Sequence, residues 1–256
     1  MSDYNPQARS VPVGQADASI DAGLRSFMLG VYNKMGLGLL WSAALAYAVG
    51  SYAPLTNLVF GTPLFFVVQW GPVALLLGSN FFMRSPSPAA SGFLYWSVVT
   101  LIGAGLGIWV YLALTRTTGQ ALGFGTLSPT FTTIAMAFVA TAAAFGGLSL
   151  IGYTTKRDLS GVNSMLIMAS WGLAVVAIVN FLLVKSDMFA LIVQGVTVLV
   201  FSVMIATQTN MLRQFYYSAR NDVRSQAVMT NMGALNLYIM FVTIFQFILS
   251  LLSSRR

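Results

Sequence analysis

Charged side chains act as punctuation in this chain. The stretches 35–83, 85–115, 117–155, 159–184, 188–212 and 225–254 contain none. A helix needs about 20 mostly apolar residues to cross a hydrocarbon layer of about 30 Å. Five of the stretches therefore hold one span each. The first is long enough for two, and Pro54, Thr56, Asn57, Gly61, Thr62 and Pro63 interrupt its middle. Clusters of Pro and Gly of this kind mark a turn. The pattern predicts seven helices near 28–51, 64–83, 92–114, 130–152, 163–184, 188–208 and 232–252. A membrane β-barrel satisfies its backbone in lipid equally well. Its strands, however, alternate in polarity over about 10 residues, and these runs are continuously apolar. The fold class expected is an all-α integral membrane protein.

Residues 1–27 differ in character. Asp3, Arg9, Asp17, Asp21, Pro6 and Pro12 sit among few periodic apolar positions, so the segment reads as a polar, disordered cytoplasmic tail leading into the first helix. It lacks the positive patch, apolar run and small-residue cleavage site of a signal peptide, and the first helix is expected to remain as an anchor. Residues 28–256 form the transmembrane domain.

Orientation follows from the basic residues in the connections. Seven spans gather Arg9, Arg25, Lys34, Arg84, Lys156, Arg157, Arg213, Arg220 and Arg224 on one side. They leave Arg116, Lys185, Arg255 and Arg256 on the other. That bias places the N-terminus in the cytoplasm of a bacterial inner membrane. It also accounts for the net charge of +7 through contact with anionic lipid, with no nucleic-acid partner.

Composition then narrows the chemistry. Hydrophobic residues make up 57 % of the chain and charged residues 7 %, against about 25 % charged in soluble domains. There is no His and no Cys, which removes His–Cys metal sites, Ser-His-Asp triads and thiol chemistry. Glu is absent as well, and no Asp falls inside a predicted span. Intramembrane aspartyl proteolysis and carboxylate proton relays have nothing to work with. No metal, cofactor or enzymatic activity is expected. A Ser–Lys dyad stays open only if Ser149, Ser160 or Ser164 lies beside Lys156.

Within the spans, Gly103 with Gly107, Gly36 with Gly38, and Gly146 with Gly147 suit close helix packing. Asn180, Gln194, Thr207, Gln208, Asn236 and Gln246 suit inter-helix hydrogen bonds, with Gln208 and Asn236 the best candidates for a polar path. Lys34 is expected to snorkel to the interface. Trp41, Trp70, Tyr95, Trp96, Trp109 and Tyr111 read as interface anchors, and Trp171 as packing.

Two segments carry a resemblance. One is Gly152-Tyr153-Thr154-Thr155-Lys156-Arg157-Asp158-Leu159-Ser160. The other runs from Ile205-Ala206-Thr207-Gln208 through a basic loop with Tyr216 and Tyr217 to Gly233-Ala234-Leu235-Asn236-Leu237-Tyr238. Together they resemble the bacterial branch of the Bax inhibitor-1, or transmembrane Bax inhibitor motif, family from about Arg25 to Leu252. The resemblance implies a central seventh helix wrapped by two layers of three. It also implies a pH-responsive calcium leak and, in eukaryotic members, suppression of cell death. The gate of leaking members looks like a pair of aspartates, one before the Thr-Gln of helix six and one after the Leu-Tyr of helix seven. Here those positions are Ala206 and Met240, which neither bind a proton nor attract calcium, a cation that favours carboxylate oxygens.

Two functions follow from different classes. One is a weak cation leak without the acidic gate, with Ala206, Thr207, Gln208, Asn236, Tyr238 and Met240 along its path. The other is a non-conducting regulatory or interaction protein. Its loop residues Arg213, Arg220 and Arg224 would dock a membrane-protein partner or anionic lipid, with Lys156, Arg157 and Asp158 forming the motif loop.

Overall fold

A computed structural model describes residues 13–82, 86–115, 129–155, 157–219 and 222–253. The described residues are helical: α1 (Val13–Ser51), α2 (Ala53–Phe60), α3 (Leu64–Phe82), α4 (Pro88–Thr115), α5 (Phe131–Thr154), α6 (Ser160–Val179, continued by a π-helical turn Asn180–Val184), α7 (Asp187–Ser218) and α8 (Val223–Ser253). Each predicted span has its helix. Five of them, α4 to α8, are long and apolar enough to cross a membrane. The α1–α2 pair passes the same test together, bent by 99° at its break, and α3 has 19 residues.

Two boundaries differ from expectation. α1 already runs from Val13, so the helix takes in much of the stretch read as tail; residues 1–12 lie outside the described residues. The presumed turn between the first two spans contains α2. Pro54 stands in the first turn of α2, where its missing N–H has no intrahelical partner to lose. Gly61 closes the helix by donating its N–H to Asn57 O at 2.8 Å. The proline that suggested a break therefore starts a helix.

The helices pack as two groups around α8. α4 lies against α1 and α3, α7 lies against α5 and α6, and α8 touches α1, α4, α5 and α7. α8 is apolar on nearly every side, as a helix surrounded by others must be. Leu235, Leu237, Tyr238, Ile244 and Leu249 are fully buried. α6 is the opposite case. Its partner is chiefly α7, and most of its apolar side chains face outward. Trp171, expected to pack inside, is 65 % exposed on it.

Small residues set the α1–α4 contact. A β-carbon on Gly103 would stand 2.8 Å from Ser42 Cα, and one on Gly50 would stand 2.6 Å from Gly107 O. Gly103 and Gly107 thus serve close helix approach as predicted. Gly36, Gly146 and Gly147 do not, since a β-carbon at any of them meets nothing within 4 Å.

Candidate functional site

The sixth and seventh predicted spans are α7 and α8, and their shared seam was the expected polar path. Ile205 and Leu212 of α7 and Leu235 and Leu237 of α8 are fully buried in the apolar core, with Ala206 and Met240 buried as well. Thr207 turns away from α8 and donates to Asn163 Oδ1 of α6 at 3.1 Å. Gln208 is half-buried, and Asn236 is exposed on the outer side of α8. Tyr238 points to the other layer, where its hydroxyl shares a 2.6 Å hydrogen bond with Ser42 of α1. Thr207, Asn236 and Tyr238 thus point in three different directions. Residue type alone does not reveal those directions.

The motif loop between α5 and α6 is held by α7 through a residue not singled out beforehand. Asn210 is fully buried. Its amide donates to Gly152 O at 3.3 Å and to Thr155 O at 2.9 Å. Its carbonyl accepts from Leu159 N at 3.4 Å and Gln214 Nε2 at 2.8 Å. Arg213 adds a 2.6 Å bond from its guanidinium to Tyr153 O. The last carbonyls of a helix lack intrahelical donors, and these two side chains supply them at the end of α5. Close approach makes this geometric fit possible, because a β-carbon on Gly152 would overlap the backbone carbonyl of Ala206.

Asp158 completes the loop. It accepts from Ser160 N at 2.9 Å and Gln214 Nε2 at 3.1 Å. The Ser160 amide, then the Gln214 side chain, hold its carboxyl below the usual carboxylate range. Arg157 is exposed. Lys156 and Arg220 lie outside the described residues, so a Ser149–Lys156 pairing is not among the described contacts. Arg213 is engaged within the fold, while Arg224 is exposed beside Asp222 at the start of α8.

A second polar cluster joins α1, α4 and α8. Lys34, expected at the interface, turns inward and donates to Asn231 Oδ1. The Asn231 amide donates to Pro88 O at 2.9 Å and Ser91 Oγ at 2.8 Å. The Lys34 ammonium lies 5.4 Å from the centre of the Tyr95 ring, a cation–π distance. Tyr95 is fully buried and donates to Lys34 O at 2.6 Å. Gly38 makes room for it, since a β-carbon there would overlap the Tyr95 hydroxyl. Tyr95 is thus a packing and hydrogen-bonding residue and not an interface anchor. A half-buried cation therefore sits in this cluster, beside the first turn of α4.

Asn163, Asn210 and Asn231 share one sequence signal. Each stands within a few residues of a predicted span end, inside an otherwise apolar run. At a span boundary, residue type alone does not mark them as buried. As buried amides they need partners, and that need is what makes them positional.

Two cavities open beside these clusters. One of about 500 Å³ lies between α1 and α5, lined by Arg25, Tyr32, Phe145 and Ser149. The other, of about 400 Å³, lies among α3, α4, α7 and α8 at the opposite end, with Gln69, Gln194 and Gln246 on its walls. Among the described residues, no group of three or more acidic side chains is placed to hold a metal ion.

The architecture is that of a multi-pass helical membrane protein. The family described as Inhibitor of apoptosis-promoting Bax1 matches residues 24–256, and the chain belongs to this Bax inhibitor-1 family. A protein of Caulobacter vibrioides is 46 % identical over 267 residues, covering all of both chains. One of Rickettsia prowazekii is 32 % identical over 256 residues, again across both whole chains. Inner membrane protein YbhL of Escherichia coli is 31 % identical over 240 residues, 92 % of this chain and 94 % of its own.

Proposed function

We propose that this protein spans a bacterial inner membrane seven times, N-terminus in the cytoplasm, and works there as a non-conducting regulatory or interaction protein. The first span is α1 with its bent extension α2, the second is α3, and α8 is the central seventh. The relative named as an inner membrane protein supports the location. Arg25, Arg157, Arg213 and Arg224 at one end of the bundle support the orientation.

The directions of the candidate side chains carry the non-conducting reading. Thr207 bonds Asn163 of α6, Tyr238 bonds Ser42 of α1 and Asn236 is exposed, while Ile205, Leu212, Leu235 and Leu237 are fully buried. Ala206 and Met240 replace the acidic pair that the family resemblance calls for. An ion moving along these helices meets apolar side chains, and desolvating it there is costly. The basic α7–α8 loop is the surface left for a membrane-protein partner, and no enzymatic role is assigned.

Calcium flux into liposomes, read from acid to neutral pH, tests this. The natural protein is expected to be silent. The double variant Ala206→Asp with Met240→Asp is expected to leak with pH dependence. Flux through the natural protein ends the non-conducting reading.

The second reading is the weak calcium leak. One observation favours it: the 400 Å³ cleft among α3, α4, α7 and α8 brings uncharged polar side chains partway into the bundle. The same flux assay separates the two.

A further inference from the structure

The cleft that opens among α3, α4, α7 and α8 is assigned no role by the family seam or by the basic loop. Three carboxamides from three helices meet in it: Gln69 of α3, Gln194 of α7 and Gln246 of α8. At 1.5 Å per residue, Gln69 lies about 8 Å from the start of α3, Gln194 about 10 Å from the start of α7, and Gln246 about 10 Å from the end of α8. The three are at one depth.

Gln194 Oε1 is buried without a hydrogen-bond partner, while Gln246 is half-buried and Gln69 is exposed at the mouth of the cleft. Pro72 and Val68 also line the cleft. Pro72 has no N–H, so the Val68 carbonyl lacks its donor one turn on. A buried polar group without a partner costs free energy, more so in lipid than at a wet surface. The Gln194 Oε1 atom and the Val68 carbonyl are such groups beside one opening, and they mark a place where something else supplies the partners.

We propose that the cleft binds an uncharged small molecule that combines an apolar body with an amide or hydroxyl group. The described lining carries no charged side chain, which leaves nothing to neutralise an ion. Carboxamides present donors and acceptors together and so match a ligand that does the same. Phe65, Trp109 and Phe247 supply an aromatic wall for the apolar part. The volume falls within the range of about 300–1,000 Å³ typical of small-molecule sites. The proposal stands whether or not ions cross the protein.

The absence of cysteine makes a clean test. Thr243 is half-buried on the cleft wall, so Thr243→Cys introduces a single thiol. Its rate of modification by uncharged 2-hydroxyethyl methanethiosulfonate is measured on the full chain, in detergent and in lipid vesicles. Benzamide, benzoate and benzamidine serve as probes of one shape and three charges. Modification is expected in both media. Benzamide at ten times its Kd should slow it about tenfold by mass action, with benzoate and benzamidine without effect. Adding Gln194→Leu and Gln246→Leu should abolish the protection.

Exclusion of the reagent from both media would show a closed cleft and overturn the proposal. Modification in detergent alone would show a bilayer lipid filling it, which overturns a soluble ligand. Equal protection by benzamidine would make it a cation site. Failure of benzamide to protect Thr243→Cys, or protection that survives loss of both carboxamides, also overturns it.

Discussion

The backbone carbonyl of Ala206 occupies the space in which a β-carbon on residue 152 would stand. α5 and α7 can cross this closely only with glycine at 152. A backbone atom does not swing aside as a side chain does, so Gly152→Ala should destabilise the protein by about 1–3 kcal/mol, the usual cost of overpacking. Gly146→Ala, with nothing within 4 Å of the new methyl, should be near neutral. Thermal unfolding of the two variants in detergent checks the contrast.

Asn210 Nδ2 reaches two carbonyls of the α5 end and its Oδ1 accepts two donors. Asn210→Leu removes all four bonds at once; Gln214 Nε2 keeps Asp158, while Gly152 O, Thr155 O and Leu159 N lose this partner. The expected loss is at least about 1–3 kcal/mol, the cost of one unsatisfied buried group. Asn210→Asp should not rescue it, because a carboxylate cannot donate to Gly152 O or Thr155 O. Protease cleavage of the α5–α6 loop should rise in both variants, and limited proteolysis reads it directly.

Asp158 gives a pH dependence with a definite sign. Its carboxyl is depressed in the folded protein by the Ser160 amide and the Gln214 side chain. The carboxylate therefore adds stability above its unfolded pKa, and that stability fades as pH falls through the folded value. Melting temperatures should drop on acidification below the ordinary Asp range near about 4. In Asp158→Asn that part of the pH response should be absent, which melting curves across acid pH will show.

Lys34 should tolerate neither loss nor simple charge removal. Lys34→Met leaves Asn231 Oδ1 without its donor and the Tyr95 ring without its cation. Asn231→Leu frees Ser91 and Pro88 O on α4 and the Lys34 ammonium. Each single change should destabilise, and the double change should cost less than their sum, since residues in one network are non-additive. A double-mutant cycle on melting temperature measures the coupling.

Much of the fold was legible because charge is excluded from lipid-facing helix. Each charge-free stretch contains a described helix, and the first is broken between α1, α2 and α3. What composition could not show was direction. Lys34 was expected at the interface, because a lone basic residue near a span end normally goes there. The sequence does not reveal that Asn231 and the start of α4 meet it inside. Asn236 and Tyr238 are two residues apart on α8, and 200° of helical rotation sends one outward and the other to Ser42. Pro54 read as a breaker because Pro disfavours helix interiors, yet the first turn of α2 accepts it. The motif loop was visible as a pattern, and its physical basis, Asn210 and Arg213 serving the carbonyls of α5, was visible only in three dimensions.

The right-angled junction of α1 and α2 has a consequence for the surrounding lipid. In the seven-span reading, α1 crosses the bilayer and α2, bent by 99°, runs along its plane. The chain then returns through α3, whose 19 residues make about 28 Å at 1.5 Å per residue. That only just spans a hydrocarbon layer of about 30 Å, while α4, α7 and α8, with 28, 32 and 31 residues, exceed it. A thicker bilayer would reach past α3 first, so the flank formed by α2 and α3 makes the protein's resting place and neighbours sensitive to membrane thickness itself.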